Sequence, residues 1–173
     1  MADARGRAGG DAIARVRRGA CRAEADDLRA GVEQVCGAGV VTVFGGVDIL
    51  IAAAGGSLGS PRDTADISSE DLDLVIDVNI KGTFNCCAAV LASMKARGGG
   101  AIVTFSSIGG RSTSPVTGVP YAAAKAGLLG LTRRLAREVG ADNIRVNAIA
   151  PGLFLTGRLQ TMFEEMSQHD RSE

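Results

Sequence analysis

Ala101-Ile-Val-Thr-Phe-Ser-Ser107, a loop rich in Gly, Ser, Thr and Pro from Gly109 to Pro120, and then Tyr121-Ala-Ala-Ala-Lys125 decide how this chain is read. Gly98-Gly-Gly100 ends whatever comes before, and residues 101–105 read as a strand. Tyr121 to Val139 reads as a helix capped by Gly140, with small residues at Ala122, Ala123, Ala126, Gly127 and Gly130. On a helix, positions i and i+4 share a face, so Tyr121 and Lys125 stand side by side. An ammonium group there favours the phenolate and lowers a phenol pKa that is ~10 when unperturbed. Such a tyrosine can give and take a proton near neutrality. Alone, a Tyr-x-x-x-Lys is more often two surface residues on an Ala-rich helix, so its neighbours have to decide.

Working outward, Ile144 to Ile149 reads as the next strand, and Val47-Asp-Ile-Leu-Ile-Ala-Ala53 as an earlier, buried one broken by Gly55-Gly56. Between them, Ser68 with Asp71 is a capping-box start. The long helix it opens runs from about Ser69 to Arg97 and carries Leu72, Val75, Ile76, Ile80, Ala88, Val90 and Leu91. Nearer the N-terminus, Leu28, Val32 and Val35 recur at helical spacing between Glu24 and Val35. Ala12 to Val16 alternates like an edge strand, and Val40 to Phe44 could pass for another strand. Alternating β and α elements imply an α/β fold with a doubly wound parallel sheet, in one domain spanning residues 1–173.

The composition excludes several classes. The chain has 173 residues with 46% hydrophobic content and a formal net charge of zero. That lacks the basic footprint of a nucleic-acid binder. Cysteines at 21, 36, 86 and 87 form no C-x-x-C pair, and the only histidine is His169 in a polar tail. No metal site is expected, and a Ser-His-Asp hydrolase is disfavoured. The absence of an unbroken apolar run of about 18 residues and of an apolar leader leads us to expect no membrane span and a cytoplasmic protein with reduced thiols.

Four motifs stand in order: Asp77-Val-Asn79-Ile-Lys-Gly-Thr-Phe84, the strand ending in Ser106-Ser107, Tyr121-x-x-x-Lys125, and Asn143-Ile-Arg-Val-Asn-Ala-Ile-Ala-Pro-Gly152. Their order and spacing resemble the short-chain dehydrogenase/reductase family, nearest in flavour to its 3-oxoacyl-carrier-protein reductase-like members. The resemblance runs from Gly46 to about Thr156, and more weakly from Gly9. It implies hydride transfer between NAD or NADP and a small-molecule alcohol or ketone. Tyr121 would be the general acid/base. Lys125 would tune it and bind the nicotinamide ribose. Ser107 would hold the substrate oxygen, and Asn79 would anchor a water chain that relays protons through the lysine. Ala54 and Gly55 would border the cofactor, Pro151-Gly152 would back the nicotinamide, and Thr156 would bind its carboxamide. The family also implies a homo-oligomer through the two long helices.

Two departures matter. The family opens with T-G-x-x-x-G-x-G, whose amides and helix N-terminus hold the pyrophosphate; this pattern does not occur in the chain. The segment from Gly9 to Arg18 resembles the family's third strand, so the Rossmann-like sheet is expected to lack the first two strands, and the last strand too. At Ile51-Ala-Ala-Ala-Gly55 the family usually has Asn-Asn-Ala-Gly over the last four positions, and Ala20 stands where an Asp often faces the adenine. All three changes remove polar groups around the cofactor while Asn79, Ser107, Tyr121 and Lys125 remain. The alternative to an active enzyme is a non-catalytic remnant that binds intact relatives through its helices, or a truncated gene product. A strand at Val47–Ala53 with a bare edge would seek a partner, expected to be Ala12–Val16 or Val40–Phe44.

Overall fold

A computed structural model describes residues 10–16, 19–23 and 46–153, the first two segments by their backbone. Five strands form one sheet in the spatial order β2-β1-β3-β4-β5. They are β1 (Gly10–Val16), β2 (Gly19–Ala23), β3 (Ile49–Gly55), β4 (Gly100–Phe105) and β5 (Ile144–Ile149). β3, β4 and β5 run parallel, with Leu50 opposite Ile102 and Ile102 opposite Val146. This parallel core with helical crossovers is the α/β arrangement the sequence pattern implies.

The first two strands depart from the family's arrangement in the way the bare edge of β3 predicts. The family's third strand would lie parallel to β3 and be separated from it by two further strands. Here β1 is an antiparallel neighbour of β3, with Ile13 opposite Ile51, and β2 forms a hairpin with β1 at the sheet's edge. The physical reason is the open ladder on β3, whose N–H and C=O groups demand partners. Of the two partners considered, the Ala12–Val16 segment takes the place; Val40–Phe44 lies outside the described residues, as does the helix read over Glu24–Val35.

Among the described residues the first α-helix, α1 (Ser69–Ile76), starts as its sequence dictates. Ser68 Oγ accepts from the Asp71 N–H at 3.1 Å, and the Asp71 carboxylate accepts from the Ser68 N–H at 3.1 Å. The chain continues through a π-helical turn at Asp77–Lys81 into α2 (Gly82–Ala96) and stops at Gly98, whose φ is +79°. By length and composition the helix Ser69–Ala96 is long and apolar enough to cross a membrane, with a mean hydropathy of 1.4 over an 18-residue stretch, which a reading by unbroken apolar runs does not register. Its apolar side chains have a nearer use, since Cys86, Cys87, Val90 and Met94 are buried in the core against the sheet.

The third helix, α3 (Val119–Val139), begins two residues before Tyr121, with Gly118 at its N-cap and Pro120 in its first turn. It packs on β4 and β5 and lies beside α1 and the π-helical turn, so the helices share one layer. Under that layer point Leu50, Ala52 and Ala54 of β3, Ile102 and Thr104 of β4, and Ile144 and Val146 of β5, all buried. Residues two apart on a strand face the same way, which is why alternate positions line this core. At the far end of the sheet Arg97 pairs with Asp48 at 2.9 Å and Asn143 takes a left-handed turn, φ +58°, before β5.

Candidate active site

The carboxyl ends of β3, β4 and β5 meet the start of α3 and the π-helical turn. In open α/β sheets ligands bind in that crevice. The Ser106 N–H donates to the Ile149 carbonyl at 2.8 Å, and the Ile108 N–H donates to the Pro151 carbonyl at 2.9 Å. The Pro151-Gly152 segment is thereby tied to the turn that carries Ser107.

Asn79 occupies the π-helical turn, where the Gly82 N–H reaches back five residues to the Asp77 carbonyl. Wholly buried, its side chain donates through Nδ2 to the Val75 carbonyl at 2.8 Å and to the Gly56 carbonyl at 2.9 Å. Oδ1 accepts from the Gly56 N–H at 3.2 Å. The amide thus fastens the helix to the turn after β3. The Asn79 carbonyl accepts from the Thr83 hydroxyl at 2.7 Å.

Gly55 explains how Asn79 and Lys125 come together. Its φ is +140°, a conformation that side chains disfavour, and a Cβ there would collide with Asn79 Oδ1 and lie 3.2 Å from Lys125 Nζ. The bare α-carbon is the gap through which the two side chains face each other.

Lys125 is 4% exposed. Its Nζ donates to the Phe105 carbonyl at 2.8 Å and stands 5.5 Å from the centre of the Tyr121 ring. Burial lowers its pKa from 10.5 to about 8. An ammonium has three donors; among the described residues this one has a single hydrogen-bond partner, the Phe105 carbonyl. The backbone of the same residue is pinned too. Its carbonyl accepts from the Ser106 hydroxyl at 2.7 Å, and a Cβ on Gly110 would sit 2.6 Å from its carbonyl carbon. The close approach of the Gly110 turn therefore needs glycine.

Ser107 caps the 3-10 turn Ile108–Gly110, and its Oγ accepts from the Gly109 N–H at 3.2 Å. As an acceptor there, the hydroxyl keeps its proton for another partner. Tyr121 is half-buried, and no hydrogen bond joins it to Ser107 among the described residues. Ala54 is buried beside Gly55, Gly152 is exposed, and Thr156 lies outside the described residues. Of the described candidates, Asn79, Gly55, Lys125 and Tyr121 form one cluster, and Ser107 and Pro151 border it through the β4 turn.

Sequence reasoning missed Ser106, Thr104, Thr132 and Thr117. Thr104 Oγ1 and Thr132 Oγ1 are 2.7 Å apart in the core between β4 and α3. Thr117 Oγ1 is buried without a hydrogen-bond partner, next to Gly109. The period-two rule offered a signal for the first two of these: Thr104 and Ser106 share the strand face that points into the helices. Among the described residues no three His, Cys, Asp or Glu side chains stand together as a metal site, and Cys86 and Cys87 are buried thiols.

Comparison with known proteins places this geometry. The family model described as short chain dehydrogenase matches residues 20–167. Dehydrogenase/reductase SDR family member 4 of Bos taurus is 42% identical over 132 residues, covering 75% of this chain and 46% of that protein. The 3-oxoacyl-[acyl-carrier-protein] reductase FabG of Staphylococcus aureus is 34% identical over 148 residues, covering 84% and 56%. Among solved structures, an NAD+-bound xylitol dehydrogenase superposes with a TM-score of 0.67 at 30% identity, covering 79% of this chain and 50% of that one. The chain spans about half the length of these relatives. With the motif order, the parallel β3-β4-β5 core and the Asn79–Lys125–Tyr121 cluster, these matches show that the chain belongs to the short-chain dehydrogenase/reductase family of oxidoreductases.

Proposed function

We propose that this chain carries the proton-transfer half of an NAD(P)-dependent oxidoreductase that interconverts a small-molecule alcohol and its ketone or aldehyde. The observation that supports this reading best is Lys125: a buried ammonium beneath the Tyr121 ring with the Phe105 carbonyl as its one hydrogen-bond partner among the described residues. Leaving donors unused in a buried site is costly unless a ligand meets them. Gly55 and the Pro151 segment border these donors, so the residues suit the nicotinamide-ribose end of a dinucleotide. They do not fit its pyrophosphate end, because the Gly-rich turn that would hold it is not in the sequence.

When bound, a nicotinamide supplies or accepts the hydride. The chain's own residues do the rest. Ser107 offers its proton to the substrate oxygen and holds it near the phenol. Tyr121 gives that oxygen a proton in reduction and takes it back in oxidation. Lys125 donates to the ribose hydroxyls and keeps positive charge next to the phenol. Asn79 holds the turn after β3 against the helix and would anchor a water that passes protons to Lys125. General acid–base help of this kind is worth roughly 10²–10⁴-fold, and orientation of the reactants can add more.

On this proposal the chain has weak dinucleotide affinity of its own, a cytoplasmic location, and self-association through its helices. Leu72 at 42% and Phe84 at 58% exposure on α1 and α2 support the last point. Fluorescence titration with NADH and NADPH tests the main claim. Weak binding that Lys125→Met removes is expected, and any turnover is expected to vanish in Tyr121→Phe. Binding indifferent to Lys125→Met, or turnover that survives Tyr121→Phe, overturns the proposal.

A further inference from the structure

We propose that the buried Thr104–Thr132 hydroxyl pair is a positioning device: it fixes the roll of α3 on β4 and so keeps Lys125 Nζ seated on the Phe105 carbonyl beneath Tyr121. Besides the Lys125–Phe105 contact itself, two polar rungs join this strand and its following turn to this helix among the described residues. In the first, the Ser106 hydroxyl donates to the Lys125 carbonyl at 2.7 Å. In the second, Thr104 Oγ1 and Thr132 Oγ1 meet at 2.7 Å. The direction of the second follows from its surroundings. Thr132 Oγ1 gives its proton to the Leu128 carbonyl at 2.7 Å, so Thr104 is the donor across the gap. The other acceptor open to Thr104, the Asn147 carbonyl, is at the long distance of 3.5 Å.

A helix held at one point on a strand can still roll and swing about that point. A second hold about two turns away, roughly 10 Å along the axis, removes that freedom. Lys125, Leu128 and Thr132 are all buried along α3, so both rungs lie on the face that meets the sheet. A side-chain tip some 6 Å from a helix axis moves about 1 Å when the helix rolls by about 10°. That displacement is enough to unseat Nζ from a 2.8 Å hydrogen bond and admit water beside it. The apolar contacts of Ala124 and Leu128, buried on the same face, are non-directional and do not by themselves select one roll. A buried hydroxyl pair accepts one, since any other leaves a polar group unmet. Neither threonine touches the reacting atoms, so both are positioning residues. The catalytic meaning of this inference rests on the function proposed above, but the geometry it concerns is present without cofactor.

The chain has three lysines, at 81, 95 and 125. NMR of the full chain with isotope-labelled lysine therefore gives few resonances. Lys81 and Lys95 are exposed and paired with Asp77 and Asp142, and they serve as internal references. In the wild type the Lys125 resonance is expected to titrate near 8. Thr132→Val keeps the shape and removes the acceptor. It is expected to move the Lys125 midpoint upward by at least about half a pH unit as water reaches Nζ, with the two reference lysines unmoved. Thr132→Ser restores the hydroxyl and is expected to restore the midpoint. A Thr132→Val chain with a lowered melting temperature and an unmoved Lys125 midpoint overturns the proposal, because the pair would then be structural only. Should Thr132→Val fail to fold, Thr104→Val breaks the same rung from the strand side, with the same two outcomes. The titration uses no nicotinamide, so the rung is tested even in a chain that binds none.

Discussion

Replacing Lys125 with methionine keeps the length and volume of the side chain and removes its charge. The structure sets what this does to stability and how the effect depends on pH. Burial lowers the lysine pKa from 10.5 to about 8, which corresponds to roughly 3 kcal/mol against the folded state while both folded and unfolded lysines are protonated. In the window from about 8 to 10.5 the unfolded chain holds a proton that the folded chain has lost, so wild-type stability rises with pH across it. Methionine removes this dependence but leaves the Phe105 carbonyl without the donor now at 2.8 Å, a loss of about 1–3 kcal/mol. Lys125→Met is therefore expected to be neutral or up to about 2 kcal/mol more stable than wild type near pH 7, and less stable by about 1–3 kcal/mol near pH 10.5. Cys86 and Cys87 act in the opposite sense above pH 9, because burial raises them to about 11 and 12 and the unfolded chain loses those protons first. Both chains carry these cysteines, so the difference between them cancels the thiol contribution. Paired urea denaturations followed by far-ultraviolet circular dichroism, from about pH 7 to about pH 10, measure that difference. A difference that stays flat across the range refutes the claim that Lys125 folds at the expense of its charge.

Gly55→Ala is expected to destabilise the fold by about 2–4 kcal/mol through its positive φ and the collision with Asn79 Oδ1, and Asn79→Ala by a similar amount through loss of its hydrogen bonds to Gly56 and Val75. Chemical denaturation measures both, and wild-type stability in either variant contradicts the packing described around the β3 turn. Cys86 and Cys87, buried with raised pKa values, are expected to resist thiol reagents in the native chain and to react on unfolding. Rapid labelling of either residue before unfolding, mapped by mass spectrometry, counts against their burial.

The parallel core was legible because each of its signals is local. Ser68 and Asp71 announce a helix start, Gly98-Gly-Gly100 a stop, and Ile144–Ile149 a strand, and the structure places each of them there. Asn79 lies in a π-helical turn inside the helix read from Ser69 to Arg97. What the sequence did not disclose depends on contacts across the fold. The β1–β2 hairpin arises because β3 offers an open ladder, a tertiary demand that no local pattern in residues 10–23 reveals. Ser106 and Ser107 look alike as a pair. They part because adjacent strand positions face opposite ways, one hydroxyl going to the Lys125 carbonyl and the other to the site's border. Gly55 reads as a strand terminator, and only the positions of Asn79 and Lys125 show it to be the opening between them.

The π-helical turn at Asp77–Lys81 amounts to one surplus residue within a helix that otherwise runs unbroken from Ser69 to Ala96. Each residue turns an α-helix by about 100°. The surplus therefore sets the phase between the two halves, so that Val75 and Met94 both reach the core while Asn79 reaches the β3 turn. Losing any one residue from that stretch would leave a sequence that is still a sound helix by composition and propensity. The damage would be rotational: whichever half kept its seat, the other would present the wrong stripe. Single-residue length changes here are consequently a sharper hazard to the site than most substitutions, although propensity-based inspection would pass them.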